Sequence, residues 1–364
     1  MPRSSACGPR APVVFCFFNR PREAARVWET IRAARPARLY LVSDGARPGV
    51  AGEAERVRQC RRLVDSVDWP CRVEVDYATS NMGCGARIAS GLRHVFSREE
   101  RAIVLEDDTV PSPAFFGFCD ALLERYADHA EVLHVNGRNN LARWGDDTSY
   151  FFARRSNPWG WATWRRAWRG FDLSIEALAP GGEAVLAETL CDSEHAGFVA
   201  HTARRYAGRN IDTWDVQWSL SVLRRSGLCI VPRENLVRNI GFGSSGTHTH
   251  TTRNDMRAAI PASDLDPELD HPDTVAYESV GRTFDRFYFL FEQLNTYHRP
   301  GIMISLARRL AETPAEPLPR DAGWQALLPF LAPARYPAET RQLLEHLQRF
   351  IPDNATLGKL LGYF

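Results

Sequence analysis

The feature that most constrains this chain is a regular alternation of apolar runs and helical stripes across its first third, ended by three consecutive acids. Ala11 to Phe18 is a continuous apolar run, the pattern of a parallel strand buried on both faces. Asn19-Arg20-Pro21 then opens a helix, with Pro21 near its first position and Val27, Trp28 and Ile31 on one face. Arg38 to Ser43 is a second strand, closed by Asp44-Gly45. Val57, Cys60, Val64 and Val67 stripe the next helix, and Cys71 to Tyr77 alternates as a third strand. Asn81-Met82-Gly83 forms a loop, Gly85 to Phe96 a helix with Ile88, Leu92 and Val95 inward, and Ala102 to Leu105 a fourth strand. The order βαβαβαβ predicts a mostly parallel sheet with right-handed crossovers.

The fourth strand delivers Glu106-Asp107-Asp108, and Pro111 follows where the ladder must stop. Three adjacent carboxylates repel one another unless a cation or hydrogen-bond donors offset the repulsion. Ligands of open α/β sheets sit beyond the carboxyl ends of the strands. Hard oxygen donors at that place suit Mg²⁺ or Mn²⁺, which clamps a substrate's phosphates. Taken alone, the triplet is equally a solvated acidic turn.

Composition removes other classes. The chain has 364 residues, 44% hydrophobic and 24% charged, at a net charge of +1. That balance suits a soluble globular protein and argues against a nucleic-acid partner. Lys359 is the only lysine, which disfavours a P-loop and a nucleotidyltransferase that sets lysine on phosphate. Asn19-Arg20-Pro21-Arg22 lacks the glycines that a dinucleotide fingerprint needs after the first strand, and Gly83-Cys84-Gly85-Ala86-Arg87-Ile88 fails at its last position. None of the 8 cysteines forms a C-x-x-C pair. With no apolar leader in Met1 to Pro12, they are expected to be reduced thiols of a cytoplasmic protein, free or peripheral to the inner membrane face. No apolar run approaches the roughly 18 residues of a membrane span.

After Pro111 the texture changes. Phe115, Phe116, Cys119, Leu122, Leu123 and Tyr126 stripe a helix, and Val132 to Asn136 is a strand. Trp159, Trp161, Trp164 and Trp168 crowd one segment. Ile211 to Arg225 is helical, Leu228 to Val231 a short strand, and Gly241 to Thr252 a polar loop. The remainder is rich in proline and acids, then helical in pieces.

The motifs resemble a family. Ile103-Val104-Leu105-Glu106-Asp107-Asp108 followed by Pro113-Ala114-Phe115-Phe116, then Gly160-Trp161, then Trp214-Asp215-Val216-Gln217-Trp218, resemble in order three segments of GT-A glycosyltransferases. The likeness is to the N-acetylglucosaminyltransferase I type, glycosyltransferase family 13, and also to bacterial family-2-like sugar transferases. It spans roughly residues 11 to 255. It implies an α/β GT-A nucleotide-diphospho-sugar transferase fold, with a mostly parallel central sheet flanked by helices; the residue pattern beyond it adds a C-terminal helical extension. Residues 1–10 are then a disordered N-terminus, 11–110 the nucleotide-sugar-binding half, 111–255 the acceptor-binding and catalytic half, and 256–364 the extension.

The resemblance implies a nucleotide-sugar donor, a Mn²⁺ or Mg²⁺ ion, and transfer to an acceptor hydroxyl of a glycan, with inversion. Asp108 takes the metal, while Glu106 and Asp107 serve the ribose and the metal's waters. Asp215 matches the acid that acts as base, with a helix N-terminal acid favoured by the dipole as the other reading, and Asp212 is its backup, better suited to cap a helix. Asn19, Arg20 and Asp44 lie at the tips of the first two strands, where a nucleoside needs hydrogen bonds. Asn19 is equally a helix cap, and Asp44 equally an Asp-Gly turn. Asn81, Gly83 and Arg87 resemble the Asn-x-Gly…Arg stretch of family-2-like enzymes, with Arg87 either on phosphate or simply exposed. His248 or His250 either joins the metal or sits in a solvated loop. Trp159, Trp161 and Trp214 either stack on acceptor sugar or fill core. The apolar stripe Phe284, Phe287, Phe289, Leu290, Phe291 and Leu294, with Leu343, Leu344, Leu347 and Phe350, must be buried. The extension is therefore expected to pack on the catalytic part, to hold the acceptor or to make a homo-oligomer, and to give no residue to the donor site.

Overall fold

The structure, a computed structural model, describes residues 8–145, 148–174, 182–209, 211–242 and 256–297, together with Arg341 and Glu345. The N-terminal elements are β1 (Val13–Phe17), α1 (Pro21–Ala34), β2 (Arg38–Ser43), α2 (Glu53–Arg61), β3 (Arg72–Tyr77), α3 (Cys84–Arg98) and β4 (Arg101–Glu106). Strands β3, β2, β1 and β4 lie side by side and pair in parallel. Each strand splits its side chains between two cores, as period-two geometry requires. Val13, Phe15, Leu39, Leu41, Ile103 and Leu105 join Val27, Trp28 and Ile31 of α1 on one face. Val14, Cys16, Tyr40, Val42, Ala102 and Val104 join Ile88, Leu92 and Val95 of α3 on the other. A sheet covered on both faces needs apolar residues at every strand position, which is why β1, β2 and β4 read as apolar runs, whereas the edge strand β3 alternates.

The second half adds β5 (Thr109–Pro111), α4 (Ala114–Arg125), β6 (Val132–Asn136), β7 (Tyr150–Ala153), β8 (Trp161–Trp164), α5 (Arg165–Trp168), α6 (Gly182–Leu190), α7 (Ser193–Gly208), α8 (Asp215–Leu223), β9 (Leu228–Pro232), β10 (Val237–Asn239), α9 (Met256–Ala259) and α10 (Ser279–Tyr297). The eight-stranded sheet runs β3-β2-β1-β4-β8-β6-β9-β7, and β10 pairs with β5 in a separate ribbon. This is a mixed α/β architecture, a large central sheet flanked by helices. Four of the sheet's seven strand pairings are parallel: the N-terminal half is uniformly so, and β6 pairs parallel with β9. β8 runs antiparallel to both β4 and β6, and β7 antiparallel to β9. The tryptophan-dense segment hides β8: Trp161 and Trp164 bracket a strand that enters the middle of the sheet, with Val104 opposite Trp161. The stripe expected to make one helix through Val67 also breaks, since α2 ends at Arg61 and a 3-10 turn covers Arg62–Ser66.

The far edge, β7, is covered by α10. The buried Asp285 carboxylate accepts the backbone N–H groups of Arg154 at 2.8 Å and Arg155 at 3.2 Å, just past β7. Phe284, Phe287 and Phe289 are buried, each contributing roughly 1.5–3 kcal/mol of apolar burial. Phe284 packs on Trp144 and Phe151. The side chains of Leu290, Phe291 and Leu294, and the stripe from Leu343 to Phe350, lie outside the described residues. Among the described residues, no helix is long and apolar enough to cross a membrane.

Candidate functional site

Parallel pairing sends the carboxyl ends of β1, β2 and β4 to one edge, where Cys16 registers with Glu106 and Phe17 with Ser43. A cavity of about 470 Å³ opens there. Asn19, Arg20, Asp44, Asn81, Gly83, Arg87, Glu106, Asp107, Asp108, Trp159, Asp212, Trp214 and Asp215, all read from the sequence, line it together. His248 and His250 lie outside the described residues.

The turn after β4 is closed by Thr109, whose hydroxyl accepts the Glu106 N–H at 2.9 Å and donates to the Glu106 carbonyl at 3.0 Å. The three acids then part company. Asp107 is buried, and its oxygens take the Phe18 N–H at 3.2 Å and the Arg20 guanidinium. Asp108 receives Arg20 Nη1 at 3.0 Å. Arg20 therefore bridges β1 to the triplet and offsets its repulsion. Burial would lower the Arg20 pKa, but Asp107 and Asp108 outweigh it and raise it. Burial, reinforced by Asp108 and Asp107, pushes the Glu106 carboxyl well above the usual carboxylate range. Burial also raises Asp108, against the pull of Arg20. A lid over the triplet comes from the β10 end: Ile240 N–H donates to the Asp108 carbonyl at 2.8 Å, and Gly241 N–H to Asn239 Oδ1 at 2.8 Å. A Cβ at Gly241 would stand 2.1 Å from Asp108 Oδ2, so a larger residue there would have to displace the Asp108 carboxylate.

The polar groups after β1 and β2 and in the 81–83 loop are mutually braced. Asp44 accepts Gly45 N–H at 2.8 Å, Asn81 Nδ2 at 3.0 Å, Met82 N–H at 2.9 Å and Gly83 N–H at 3.0 Å. It joins the Asp-Gly turn and the 81–83 loop into one wall. Asn19 donates to the fully buried Glu53 at 2.7 Å. Glu53 is held down to about 2, chiefly by Arg47. Arg87 is 7% exposed and ion-paired to Asp76, so of its two readings the simply exposed arginine does not hold.

The 212–215 segment adjoins that wall. Asp212 crosses to the start of α3, accepting Cys84 N–H at 2.6 Å and Gly85 N–H at 2.8 Å. It satisfies amides that the helix itself leaves unpaired. Gly83, at φ +87°, would carry a Cβ 2.4 Å from Asp212 Oδ2. Asp215 opens α8. Its Oδ1 takes the Thr213 hydroxyl and the Val216 N–H at 2.9 Å, and among the described residues Oδ2 receives no hydrogen bond.

The tryptophans divide. Trp159 lines the cavity between the guanidinium groups of Arg138 and Arg257. Trp161 is corrected: it is 0% exposed, stacked on Trp214 and on His134, and belongs to the core. It sits on β8 in mid-sheet, where no sugar can reach. Trp214 is 2% exposed and still lines the cavity. His134 takes the Trp218 indole N–H on Nδ1 at 3.0 Å, and burial holds its pKa down to about 3, so the ring is neutral.

Asp215 also faces a second cavity of about 270 Å³, lined by α7, α8, α9 and α10. The two cavities share Pro158, Trp159, Tyr206, Asp215 and Arg257. Arg47, Tyr206 and Arg257 were not foreseen in the sequence. Arg257, beyond residue 255, also lines the larger cavity, and its carbonyl accepts Arg138 Nη2 at 2.5 Å.

No family model matches the chain, and no curated protein matches it. Among solved structures it is similar to a UDP-glucose pyrophosphorylase in complex with UDP-glucose. That likeness has 8% identity and a TM-score of 0.29, over 62% of this chain and 91% of the other. At that level it fixes neither fold family nor activity.

Proposed function

We propose that the protein is a GT-A-fold, metal-dependent glycosyltransferase. It moves a sugar from a nucleotide-diphosphate donor, a UDP-sugar, to an acceptor hydroxyl of a glycan, with inversion. One observation carries this: Asp215 is the carboxylate common to two adjoining cavities, one of which holds the acid triplet. A base must touch both partners of a transfer, and among the described residues Asp215 shares its place on both cavities with Pro158, Trp159, Tyr206 and Arg257, none of them a carboxylate.

The donor occupies the larger cavity, with its nucleoside among Asn19, Asp44, Asn81 and Arg47 and its diphosphate toward Asp108, Arg20 and Arg87. The acceptor occupies the smaller one. Its hydroxyl donates to Asp215 Oδ2 while Thr213 and the Val216 N–H fix Oδ1. The hydroxyl oxygen forms the new bond to the anomeric carbon and its proton passes to Asp215. The bond to the diphosphate breaks, and the nucleoside diphosphate leaves. Attack opposite the leaving group inverts the centre.

Among the described residues, no cluster of three or more His, Cys, Asp or Glu groups is arranged to enclose a metal. The residues still fit a shared ion, because Glu106 and Asp108 are hard oxygen donors on the cavity wall, and Mg²⁺ commonly takes one or two carboxylates plus phosphates and water. Asp108 would hold Mn²⁺ or Mg²⁺, which supplies Lewis-acid stabilisation of the departing diphosphate.

A second reading has its own observation. Arg20 already neutralises Asp107 and Asp108, as suits an inactive nucleotide- or glycan-binding protein of this fold. A panel of UDP- and GDP-sugars with Mn²⁺ separates the two. Release of nucleoside diphosphate that falls in Asp215→Asn supports the transferase. UDP binding without release from any donor selects the binder.

A further inference from the structure

The smaller cavity is cationic and partly aromatic. Arg155 past β7, Arg205 on α7 and Arg257 on α9 bring three guanidinium groups to it from three separate elements. Its carboxylates are Asp215 and Glu292, and Glu292 is already bonded to Arg155 Nη2 at 2.7 Å. Arg155 lies over the Tyr288 ring at 4.7 Å with its side chain 14% exposed, near the Asp285 carboxylate as well. The Nε atoms of Arg155 and Arg205 are buried and take no hydrogen-bond partner. A buried donor on a charged group without an acceptor is costly, and guanidinium groups in a cavity favour carboxylate and phosphate groups, which accept two bonds at once.

We propose that the acceptor held in this cavity is an anionic saccharide, a sugar bearing a carboxylate or phosphate whose oxygens meet Arg155 and Arg205. Its ring lies against Trp159 and Tyr206, with a free hydroxyl toward Asp215. This rests on the glycosyl-transfer reading above and names its acceptor class.

Calorimetric titration of the full-length protein saturated with UDP tests it, using methyl β-glucuronide, glucose 6-phosphate and neutral methyl β-glucoside. At least one anion binds about tenfold more tightly than the glucoside, the gain of one charge-assisted pair. Which anion does so distinguishes a carboxylate from a phosphate. Arg205→Gln removes about tenfold from the preferred anion and less than twofold from the glucoside. Neither anion exceeding the glucoside overturns the proposal, as does an equal loss for charged and neutral sugars in Arg205→Gln. The transferase reading fails separately. If no donor is turned over yet the anion preference holds, the cavity is an anionic-saccharide site on a binding protein. If donors are turned over and the glucoside serves equally well, the anion proposal alone falls.

Discussion

Asp212→Ala separates a structural acid from a catalytic one. The Asp212 carboxylate accepts from Cys84 N–H at 2.6 Å and Gly85 N–H at 2.8 Å, at the first turn of the 15-residue α3. Losing a capping acceptor costs about 0.5–2 kcal/mol, typically ~1. Losing a negative charge at a helix N-terminus adds about 0.3–1 kcal/mol at low salt. Asp212 is solvent-exposed, so screening holds the second contribution to its lower end. The expected loss is about 1–1.5 kcal/mol, read as a lower urea midpoint at unchanged slope. Asp212→Asn keeps an acceptor oxygen and should lose less than half as much. Both variants should retain most of the transfer rate, because the Asp212 oxygens are spent on amides. Unchanged stability in Asp212→Ala together with a hundredfold fall in rate would refute this, and would make Asp212 the base.

Asp215→Asn should lower the transfer rate by roughly 10²–10⁴-fold while UDP affinity, measured by calorimetry, changes little. An equal fall in both places Asp215 in the donor site instead. Asp108→Ala, or excess EDTA, should abolish transfer and weaken UDP binding with the far-ultraviolet dichroism unchanged, and full activity in EDTA rules out the metal. Burial lifts the Asp285 carboxyl to about 6, against the donated N–H groups of Arg154 and Arg155. The unfolded group titrates near 3.9, so the native state holds the extra proton between about 4 and 6. Stability from this group is complete below that window and is lost as pH rises through it, by roughly 3 kcal/mol. Urea unfolding at pH 4 and pH 7 should show a fall that Asp285→Asn removes; an equal fall in the variant assigns it to other groups.

The amino-acid sequence by itself determined the parallel half of the sheet and the place of the acids. Strands covered on both faces must be apolar throughout, and α1 and α3 must stripe every three or four residues. These are local demands, visible within ten residues, and parallel pairing then sends Glu106, Asp107 and Asp108 to the same edge as Asn19 and Asp44. Tertiary structure alone decided what each acid does there. Asp107 and Asp108 differ because Arg20, 87 residues away from Asp107, reaches both. Asp212 is a cap because α3 begins 128 residues before it. Trp161 and Trp159 are two residues apart, yet one fills the core and the other faces the cavity, since β8 enters the sheet between β4 and β6. No spacing in the chain announces Tyr206 or Arg257 beside Asp215. Each of these assignments depends on which distant segment arrives to satisfy a buried polar group or cover an apolar one, and that choice is made only when the whole sheet has closed.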